Sequence, residues 1–476
     1  MKKSIKHKLH KAFIWTGSID IVQNLLQFIF TIFFAYLLTK AEFGLFGMSI
    51  LTIRLAGFIE YGFGNTIIQN QSLTNANVSA IFLIYLIINF IIALVIFFSA
   101  SIVSNFFNQE NLKLLVQITS FIILIQTFNF PQFILTKRLQ HKYKSISILI
   151  SCIIANTFAL YFAYSGYGAF SLIIRLYIST IIQVVLCFYF SKIQIVKPDF
   201  HRITKILGLS GNLFIIKILN YFSNNIIKIL TGKFLGPDAL GILNISYDLA
   251  IIPAKKLQST FSSVLLPGFS MIQNNYEKFQ VNYINIMNSI IIIYVPFLLI
   301  LSGSAENIIL TFYGNKWINA SESLSLLILS GAIIGCGELL KSFILAKGHT
   351  EILFISIIIR LFTSVSAMFL LLEQYGLTGL IIGFLLGSAI SLIYEALIFD
   401  KTFKNNFTFF RKNYRTLLIS ILLQFIASWV GNKLNLHNSF ELIIQFTSSF
   451  TILLILSYLF NISTLQNLIN QIRSVK

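Results

Sequence analysis

The chain has 476 residues, of which 56% are hydrophobic and only 11% are charged. A soluble protein of this length cannot bury so much apolar surface, so the composition predicts an integral membrane protein. The formal net charge of +19 is compatible with nucleic-acid binding. However, most of the basic residues lie in short connectors between apolar runs, as in membrane topology, and we expect no nucleic-acid partner.

Apolar runs long enough to cross a bilayer, about 20 residues each, recur along the whole chain. They cover 14–38, 45–68, 78–103, 114–135, 145–164, 169–190, 206–231, 241–266, 284–301, 324–346, 352–372, 377–399, 416–432 and 440–460. The predicted fold is therefore an all-α integral membrane protein with about 14 transmembrane helices. The first run lacks a small-residue cleavage pattern, so it is predicted to be a span rather than a signal peptide.

Lysine and arginine in the connectors predict the orientation of these spans. With a cytoplasmic N-terminus, the inside connectors and termini hold 22 of the 35 basic residues and the outside connectors hold five. The outside five are Lys40, Lys113, Lys233, Lys316 and Lys433. Both termini are therefore predicted to be cytoplasmic.

Cysteine usage and short motifs give no indication of an enzyme. Cys152, Cys187 and Cys336 all lie inside apolar runs and form no disulfide or zinc spacing. The sequence carries no nucleophile, metal-binding or phosphate-loop motif. We therefore predict a protein that is not an enzyme and has no cofactor and no metal.

Short stretches recur in the same order roughly 200 residues apart. Gly44 and Gly241, each after a short outside turn, are 197 residues apart; FILTKR (133–138) resembles FILAKG (343–348), and YGAFSLII (167–174) resembles YGLTGLII (375–382). The repeat predicts two copies of six spans, which are parallel because six is an even number. We predict an N-terminal lobe at 1–198, a C-terminal lobe at 199–400 and two additional spans within 401–476.

Spans 1 and 7 each carry a face of polar residues at matching positions of the repeat. In span 1 they are Asp20, Gln23, Asn24, Gln27 and Thr31; the positions 197 residues later in span 7 are Lys217, Asn220, Tyr221, Asn224 and Lys228. Spacings of three, four and seven residues place each set on one helical face. A lysine at the centre of a lipid-facing helix costs roughly 3 kcal/mol. Both faces are therefore predicted to face each other or a shared watery cavity.

Neighbouring spans add charge to this predicted cavity. Span 8 carries Asp248, Lys255 and Lys256, and span 2 carries Arg54 and Glu60. Basic residues outnumber acidic ones in the complete set, which favours an anionic substrate. The alternative is that Asp248 and Lys255 only neutralise each other.

A second group of charges lies within the later spans. Glu338 and Lys341 are in span 10, Arg360 is in span 11 and Glu395 is in span 12. Charged residues inside a membrane are costly and are usually paired or functional. An interhelical ion network and an ion-coupling site are both open interpretations.

Two stretches resemble a known family. LLTKAEFGLFGMSILTIRLAGFIEYGFGNTIIQ (37–69) resembles the start of Wzx-type polysaccharide or O-antigen flippases, which have L-T-P-x-x-F-G-L there, then a Gly-containing stretch and I-I-Q; Lys40 stands where the family often has Pro. FLGPDALGILNISYDL (234–249) resembles the matching stretch of the second lobe. The span number and the two lobes are similar to the multidrug/oligosaccharidyl-lipid/polysaccharide exporter superfamily.

The resemblance implies a function in surface polysaccharide (O-antigen, lipopolysaccharide or capsule) biosynthesis. It implies flipping of an undecaprenyl-diphosphate-linked oligosaccharide from the cytoplasmic to the periplasmic leaflet of the bacterial inner membrane. Alternating access of the lobes, an H⁺ or Na⁺ gradient as the driving force, and a polysaccharide polymerase and chain-length regulator as partners are implied with it.

Three alternative functions differ from this one in the site that each requires. A cation-coupled drug antiporter of the same superfamily needs an acidic cavity. A peptidoglycan-precursor flippase also has an anionic lipid-linked substrate and would need a similar cavity. A membrane polymerase or glycosyltransferase needs catalytic groups on large external loops, and the longest outside connector, 302–323, carries only Glu306, Lys316 and Glu322 as charges.

Overall fold

The computed structural model describes residues 2–54, 57–70, 73–200 and 211–402. Within these ranges all regular secondary structure is helical. The chain divides into two compact units, Met1–Gly241 (unit 1) and Ile242–Lys476 (unit 2). Predicted spans 13 and 14 lie outside the described residues, and the lobe boundary near 198 stays a prediction.

The helices of unit 1 coincide with the first seven predicted spans, but two of those spans are broken. Span 2 is divided into α2 and α3, and span 4 bends by 40° between α5 and α6, where Pro131 begins the second helix. The helices are α1 (Lys2–Leu37), α2 (Lys40–Ile53), α3 (Gly57–Gln69), α4 (Asn75–Phe107), α5 (Asn111–Thr127), α6 (Pro131–Lys137), α7 (His141–Tyr164), α8 (Ala169–Ser191) and α9 (Gly211–Phe234).

The next helix, α10 (Gly236–Met271), begins in unit 1 and continues into unit 2. The later helices are α11 (Tyr276–Gly303), α12 (Ala305–Phe312), α13 (Ala320–Ala346) and α14 (Thr350–Thr402), with a 3₁₀ turn at Asn315–Trp317. Non-helical backbone at Gly376 divides α14 into the two arms that correspond to predicted spans 11 and 12.

Several described helices are long and apolar enough to cross a membrane. They are Asn75–Phe107, His141–Tyr164, Ala169–Ser191, Ala320–Ala346 and Thr350–Phe399, and the bent pair α5–α6 passes the same test. Large apolar side chains on these helices are exposed on the protein surface, for example Phe98 at 75% and Ile102 at 71%, as expected of lipid-facing positions. The total of fourteen spans stays a prediction.

The start of α2 explains the polar break TKAEFG between two apolar runs. Thr39 is the N-cap, and its side chain and that of Glu42 form a capping box. The Glu42 Oε2 atom accepts from the backbone N–H of Thr39 at 2.7 Å and from its hydroxyl at 2.9 Å. This reciprocal pattern satisfies N–H groups that otherwise have no partner at a helix start. The two residues therefore fix where α2 begins.

The two YG motifs adopt the same unusual backbone. Gly168 has φ 52 and ψ −132, and Gly376, 208 residues later, has φ 54 and ψ −124. Only glycine adopts this region without strain, because it has no Cβ. The repeat seen in the sequence is thus also a repeat of local geometry, at the turns before predicted spans 6 and 12.

Each of the two FIL motifs has a lysine at its fifth position, and the two lysines make the same kind of hydrogen bond. Lys137 Nζ donates to the carbonyl oxygen of Asn70 at 2.6 Å in unit 1, and Lys347 Nζ donates to that of Gln273 at 2.6 Å in unit 2. Partial burial lowers the pKa of both ammonium groups. In unit 1, this bond joins the end of predicted span 4 to the residues that follow span 2. In unit 2, it joins the end of span 10 to the residues that follow span 8. Spans 4 and 10, and spans 2 and 8, are counterparts in the repeat.

Aromatic side chains fill the core beside each of these lysines. In unit 1, Phe82 and Phe130 stack at 4.4 Å within a buried cluster formed by α3, α4 and α6. In unit 2, the Phe343 ring lies 4.5 Å from Phe269 and 4.9 Å from Tyr283. Such ring pairs add stabilisation beyond the burial of their apolar surface, and in unit 2 the Lys347 Nζ atom lies 4.3 Å from the Phe279 ring centre.

Candidate functional site

The polar face of α9 is turned into unit 1. Tyr221, Asn225 and Lys228 are only 9%, 8% and 6% exposed, and Asn220 and Asn224 are partly buried. Phe222, on another side of the helix, is 39% exposed. A lysine buried this deeply needs polar or charged partners, because an isolated buried charge is very costly. The orientation agrees with the argument that this face cannot meet lipid.

Tyr221 ties this face to the broken second span. Its hydroxyl donates to the backbone carbonyl of Leu51 in α2, and its own carbonyl accepts from the Asn225 side-chain amide at 2.9 Å. The helix α9 packs against α2, α3 and α4. Leu51 lies two residues before the end of α2 at Ile53, so this bond holds the last turn of α2 against α9.

The polar face of α1 is less enclosed. Gln23, Asn24 and Thr31 are partly buried, and Gln27 is exposed. The Thr31 hydroxyl donates to the Gln27 backbone carbonyl at 2.7 Å, a bond within α1 itself. The side chains of Asp20 in α1, Lys217 in α9 and Lys255 in α10 lie outside what the structure describes.

The remaining predicted cavity residues are placed as follows. Arg54 is exposed at the end of α2, and Asp248 is exposed on the part of α10 that belongs to unit 2. Glu60 accepts from the Gln132 side chain on α6 at 2.9 Å. Glu60 is thus held inside unit 1 by a residue that sequence reasoning did not identify.

The four residues of the second charge group form one cluster in unit 2, in which Arg360 and Glu395 are buried and Glu338 and Lys341 are partly buried. Lys341 Nζ lies 3.0 Å from Glu338 Oε1 and 4.0 Å from Glu395 Oε1. The same Glu395 oxygen accepts from the Ser356 hydroxyl at 2.6 Å. Arg360 is 5% exposed and Glu395 is 1% exposed. The structure therefore brings together four residues that the sequence placed on three separate spans.

A small cavity borders this cluster. It has a volume of about 10 Å³, and its lining includes Lys341, Arg360, Ser388, Ser391 and Glu395, which is room for about one water molecule. The second carboxylate oxygen of Glu395 is buried and, among the described residues, has no hydrogen-bond partner. This oxygen lies next to Gly337: a Cβ atom added to that glycine would be 3.6 Å from it.

The sequence analysis missed the hydroxyls of this cluster, although a signal for them exists. Ser388, Ser391 and Glu395 fall at positions 0, 3 and 7 of one helix, and Ser356 precedes Arg360 by four residues. These spacings place them on the same helical faces as the charges. Among the described residues, no group of three or more His, Cys, Asp or Glu side chains could hold a metal ion.

Comparisons with known proteins agree with one another. Residues 33–322 match the model of a family described as polysaccharide biosynthesis protein. The lipopolysaccharide biosynthesis protein WzxC of Escherichia coli K12 is 23% identical over 432 residues, covering 89% of this chain and 86% of WzxC.

Two solved structures share the fold. The lipid II flippase MurJ in an inward closed conformation matches with a TM-score of 0.74 and 16% identity, covering 94% of this chain and 98% of MurJ. An inward-facing multidrug resistance transporter of the MATE family matches with a TM-score of 0.60 and 18% identity, covering 83% of this chain and 99% of that one. At these identities the likeness concerns the fold, which is that of a membrane transporter.

Proposed function

Because the chain belongs to the polysaccharide biosynthesis protein family and is a multi-pass membrane protein with a transporter fold, we propose that it is a flippase. Its substrate is an undecaprenyl-diphosphate-linked oligosaccharide, which it moves from the cytoplasmic to the periplasmic leaflet of the bacterial inner membrane. The lobes give access to one leaflet at a time, and the chain itself performs no covalent chemistry.

The observation that carries this proposal is the buried polar face of α9. It combines the cation of Lys228 with the side chains of Tyr221, Asn225 and their neighbours on one side of the helix. A diphosphate is recognised by ammonium groups, and sugar hydroxyls pair with amides and phenols. Both kinds of group are thus offered on a single face.

The proposed architecture has fourteen spans in two parallel six-span lobes, with both termini in the cytoplasm. The matching backbone at Gly168 and Gly376 supports the repeat. The matching bonds of Lys137 and Lys347 support it as well. Parallel repeats that rock about a midplane site are a common transporter design.

We assign the driving ion to the cluster in unit 2, and we favour H⁺ over Na⁺. Its two carboxylates already face two cations, so a further cation meets little net negative charge. Glu395 lines the cavity, which holds about one water molecule, and one of its carboxylate oxygens has no hydrogen-bond partner among the described residues. Export should then depend on the proton gradient and be insensitive to the sodium gradient, and Glu395→Gln should remove the dependence on the proton gradient; export that follows the sodium gradient in the parent chain would contradict the choice of H⁺.

Two rival substrates are tested against this proposal. The likeness to MurJ suits a peptidoglycan precursor, which shares the diphosphate. A cationic drug does not suit a face that buries Lys228. A peptidoglycan precursor therefore remains the stronger rival.

The test is reconstitution of the purified chain into vesicles with a labelled lipid-linked oligosaccharide. We expect translocation of this lipid, slower translocation of lipid II, and no uptake of a cationic dye. The Lys217→Ala, Lys228→Ala double variant should lose translocation, and the Lys217→Arg, Lys228→Arg pair should keep more of it. Equal activity on lipid II, or full activity of the alanine pair, would contradict the proposal.

A further inference from the structure

Two glycines of the repeat lie against the backbone of the opposite helix start. A Cβ added to Gly44 in α2 would overlap the carbonyl oxygen of Pro237 and lie 2.8 Å from its Cα. A Cβ added to Gly241 in α10 would overlap the carbonyl oxygen of Lys40 and lie 3.2 Å from its Cα. Carbon atoms normally approach to about 3.5–4.0 Å, so only glycine fits at either place.

These two contacts are one contact made twice. Lys40 and Pro237 are 197 residues apart, and so are Gly44 and Gly241. Gly44 contacts Pro237, and its repeat counterpart Gly241 contacts Lys40, which is the repeat counterpart of Pro237. All four residues belong to unit 1. We call this reciprocal contact between the starts of α2 and α10 the glycine crossing.

The glycine crossing is built from backbone. Since the missing Cβ would point at a carbonyl oxygen, a Cα–H of each glycine points at that oxygen instead, which is the geometry of a weak Cα–H hydrogen bond. Small residues allow helix backbones to approach in this way inside membranes. At the glycines themselves, the contact is made by backbone atoms alone.

Both helix starts have a defined local conformation. The capping box of Thr39 and Glu42 sets the first turn of α2. At the other helix, Gly236 has φ +80 and Pro237 follows it. Proline lacks an N–H and has a helical φ, so it suits a helix start. The two carbonyls are therefore presented to the glycines at defined positions.

We propose that the glycine crossing is a gate at one end of the transport path. The path is closed at this end when the carbonyls of Lys40 and Pro237 sit on Gly241 and Gly44. It opens when the start of α10 moves away from the start of α2. The distribution of Lys and Arg predicts that this end is the periplasmic one. The inference rests on the proposed flippase function, because only a transporter that alternates access needs such a gate.

The first test holds the crossing apart with a single methyl group. Gly44→Ala and Gly241→Ala are compared with Gly62→Ala, since a Cβ at Gly62 in α3 has no heavy atom within 4 Å. Asn224→Cys is the reporter, in a background without Cys152, Cys187 and Cys336. It lies ten residues before the end of α9, about 15 Å inside the helix end.

A membrane-impermeant maleimide is then applied from the periplasmic side. We expect the gate variants to raise the labelling rate of the reporter at least fivefold and to lower polysaccharide export at least fivefold. The Gly62→Ala variant should stay within twofold of the parent in both readouts. Unchanged labelling in both gate variants would overturn the proposal.

The second test locks the crossing closed and does not depend on the alanine variants accumulating. The Gly241 Cβ position lies 3.2 Å from Lys40 Cα, and Asp238 precedes Gly241 by three residues, so the α-carbons of Lys40 and Asp238 lie within roughly 10 Å. Lys40→Cys with Asp238→Cys is joined by a thiol-cleavable bis-maleimide of that reach. Cross-linking should stop export, and reduction should restore it.

The controls separate this inference from the proposed function. The uncross-linked double variant, and each single variant treated with reagent, should export normally. Export at the full rate after complete cross-linking would mean that the crossing never opens, which overturns the gate alone. A parent chain that labels as expected but moves no lipid-linked oligosaccharide would overturn the proposed substrate and leave the gate standing.

Discussion

The polar faces of α1 and α9 occupy the same register of the repeat but have different surroundings. On α9, Tyr221 is 9% exposed and Lys228 is 6% exposed. On α1, their counterparts Asn24 and Thr31 are only partly buried, and Gln27 is exposed. One copy of the stripe is thus enclosed by its neighbours and the other is open.

The neighbours account for the difference. The helix α9 packs against α2, α3 and α4, whereas α1 packs mainly against α7. A duplication copies the position of a polar residue along its helix, but the contacts of that residue depend on which helices surround it. Under the proposed function, the buried copy would hold the charged group of the substrate, and the open copy would offer polar groups to its sugars.

The largest expected effect concerns the paired positions Lys228 and Thr31. Lys228→Ala should lower export roughly tenfold or more, because a hydrogen bond to a charged group is worth about 1.5 to 3 kcal/mol and each 1.4 kcal/mol is about tenfold. Thr31→Ala should change export less than twofold. Surface polysaccharide is quantified at matched protein levels. Equal losses in the two variants would remove the distinction between the faces.

A lysine placed on α1 sharpens the comparison by probing what its polar face meets. Thr31→Lys should leave the amount of membrane protein within twofold, because that side is predicted to meet a watery cavity. Leu25, which is 58% exposed on the same helix, is the control. Leu25→Lys should lower the amount at least fivefold, since a lysine facing lipid near the helix centre costs roughly 3 kcal/mol. Immunoblotting of membranes measures the amount of each variant. Similar amounts of both variants would mean that Thr31 and Leu25 lie in the same environment.

A smaller effect is expected from the tyrosine hydroxyl that joins α9 to α2. Tyr221→Phe removes the bond to the Leu51 carbonyl and should destabilise the protein by about 1 kcal/mol. Tyr36→Phe on α1 should have no effect, because that side chain is 58% exposed. The readout is the thermal unfolding midpoint in detergent. A midpoint that does not fall in Tyr221→Phe would mean that the bond does not stabilise the enclosed face.

The smallest effect is expected at the paired positions Gln27 and Asn224. Gln27 is exposed and Asn224 is partly buried. Gln27→Ala should change export less than twofold, and Asn224→Ala should lower it about threefold, near the contribution of one neutral hydrogen bond. Vesicle translocation assays resolve this difference. The reverse order would mean that the open face holds the substrate more firmly.

Local patterns predicted the positions of the helices well. The first twelve apolar runs coincide with helices α1 to α11, α13 and α14, and the motifs around Gly44, Gly168 and Lys137 fall where the local geometry recurs. These features depend on residues near in sequence: a helix depends on its own periodicity, and a glycine turn on its own backbone.

Contacts between distant residues were beyond the same reasoning. Nothing in the sequence pairs Ser356 with Glu395, or Gly44 with Pro237. Arg175 has no counterpart in the repeat as a cation; the structure places its guanidinium 5.6 Å from the rings of both Phe34 and Phe46, which is a cation–π arrangement. Contacts between such distant residues depend on how the helices pack against one another, and a single sequence does not reveal this packing.

The lysines at the fifth position of the two FIL motifs have two functions, one during membrane insertion and one in the folded protein. Lys137 and Lys347 lie in connectors predicted to be cytoplasmic, where their charges help to orient the spans while the insertion machinery is still at work. In the finished protein, the same ammonium groups hold the carbonyls of Asn70 and Gln273. A neutral residue at either position removes a biogenesis signal and a structural bond together, so selection cannot adjust one without the other.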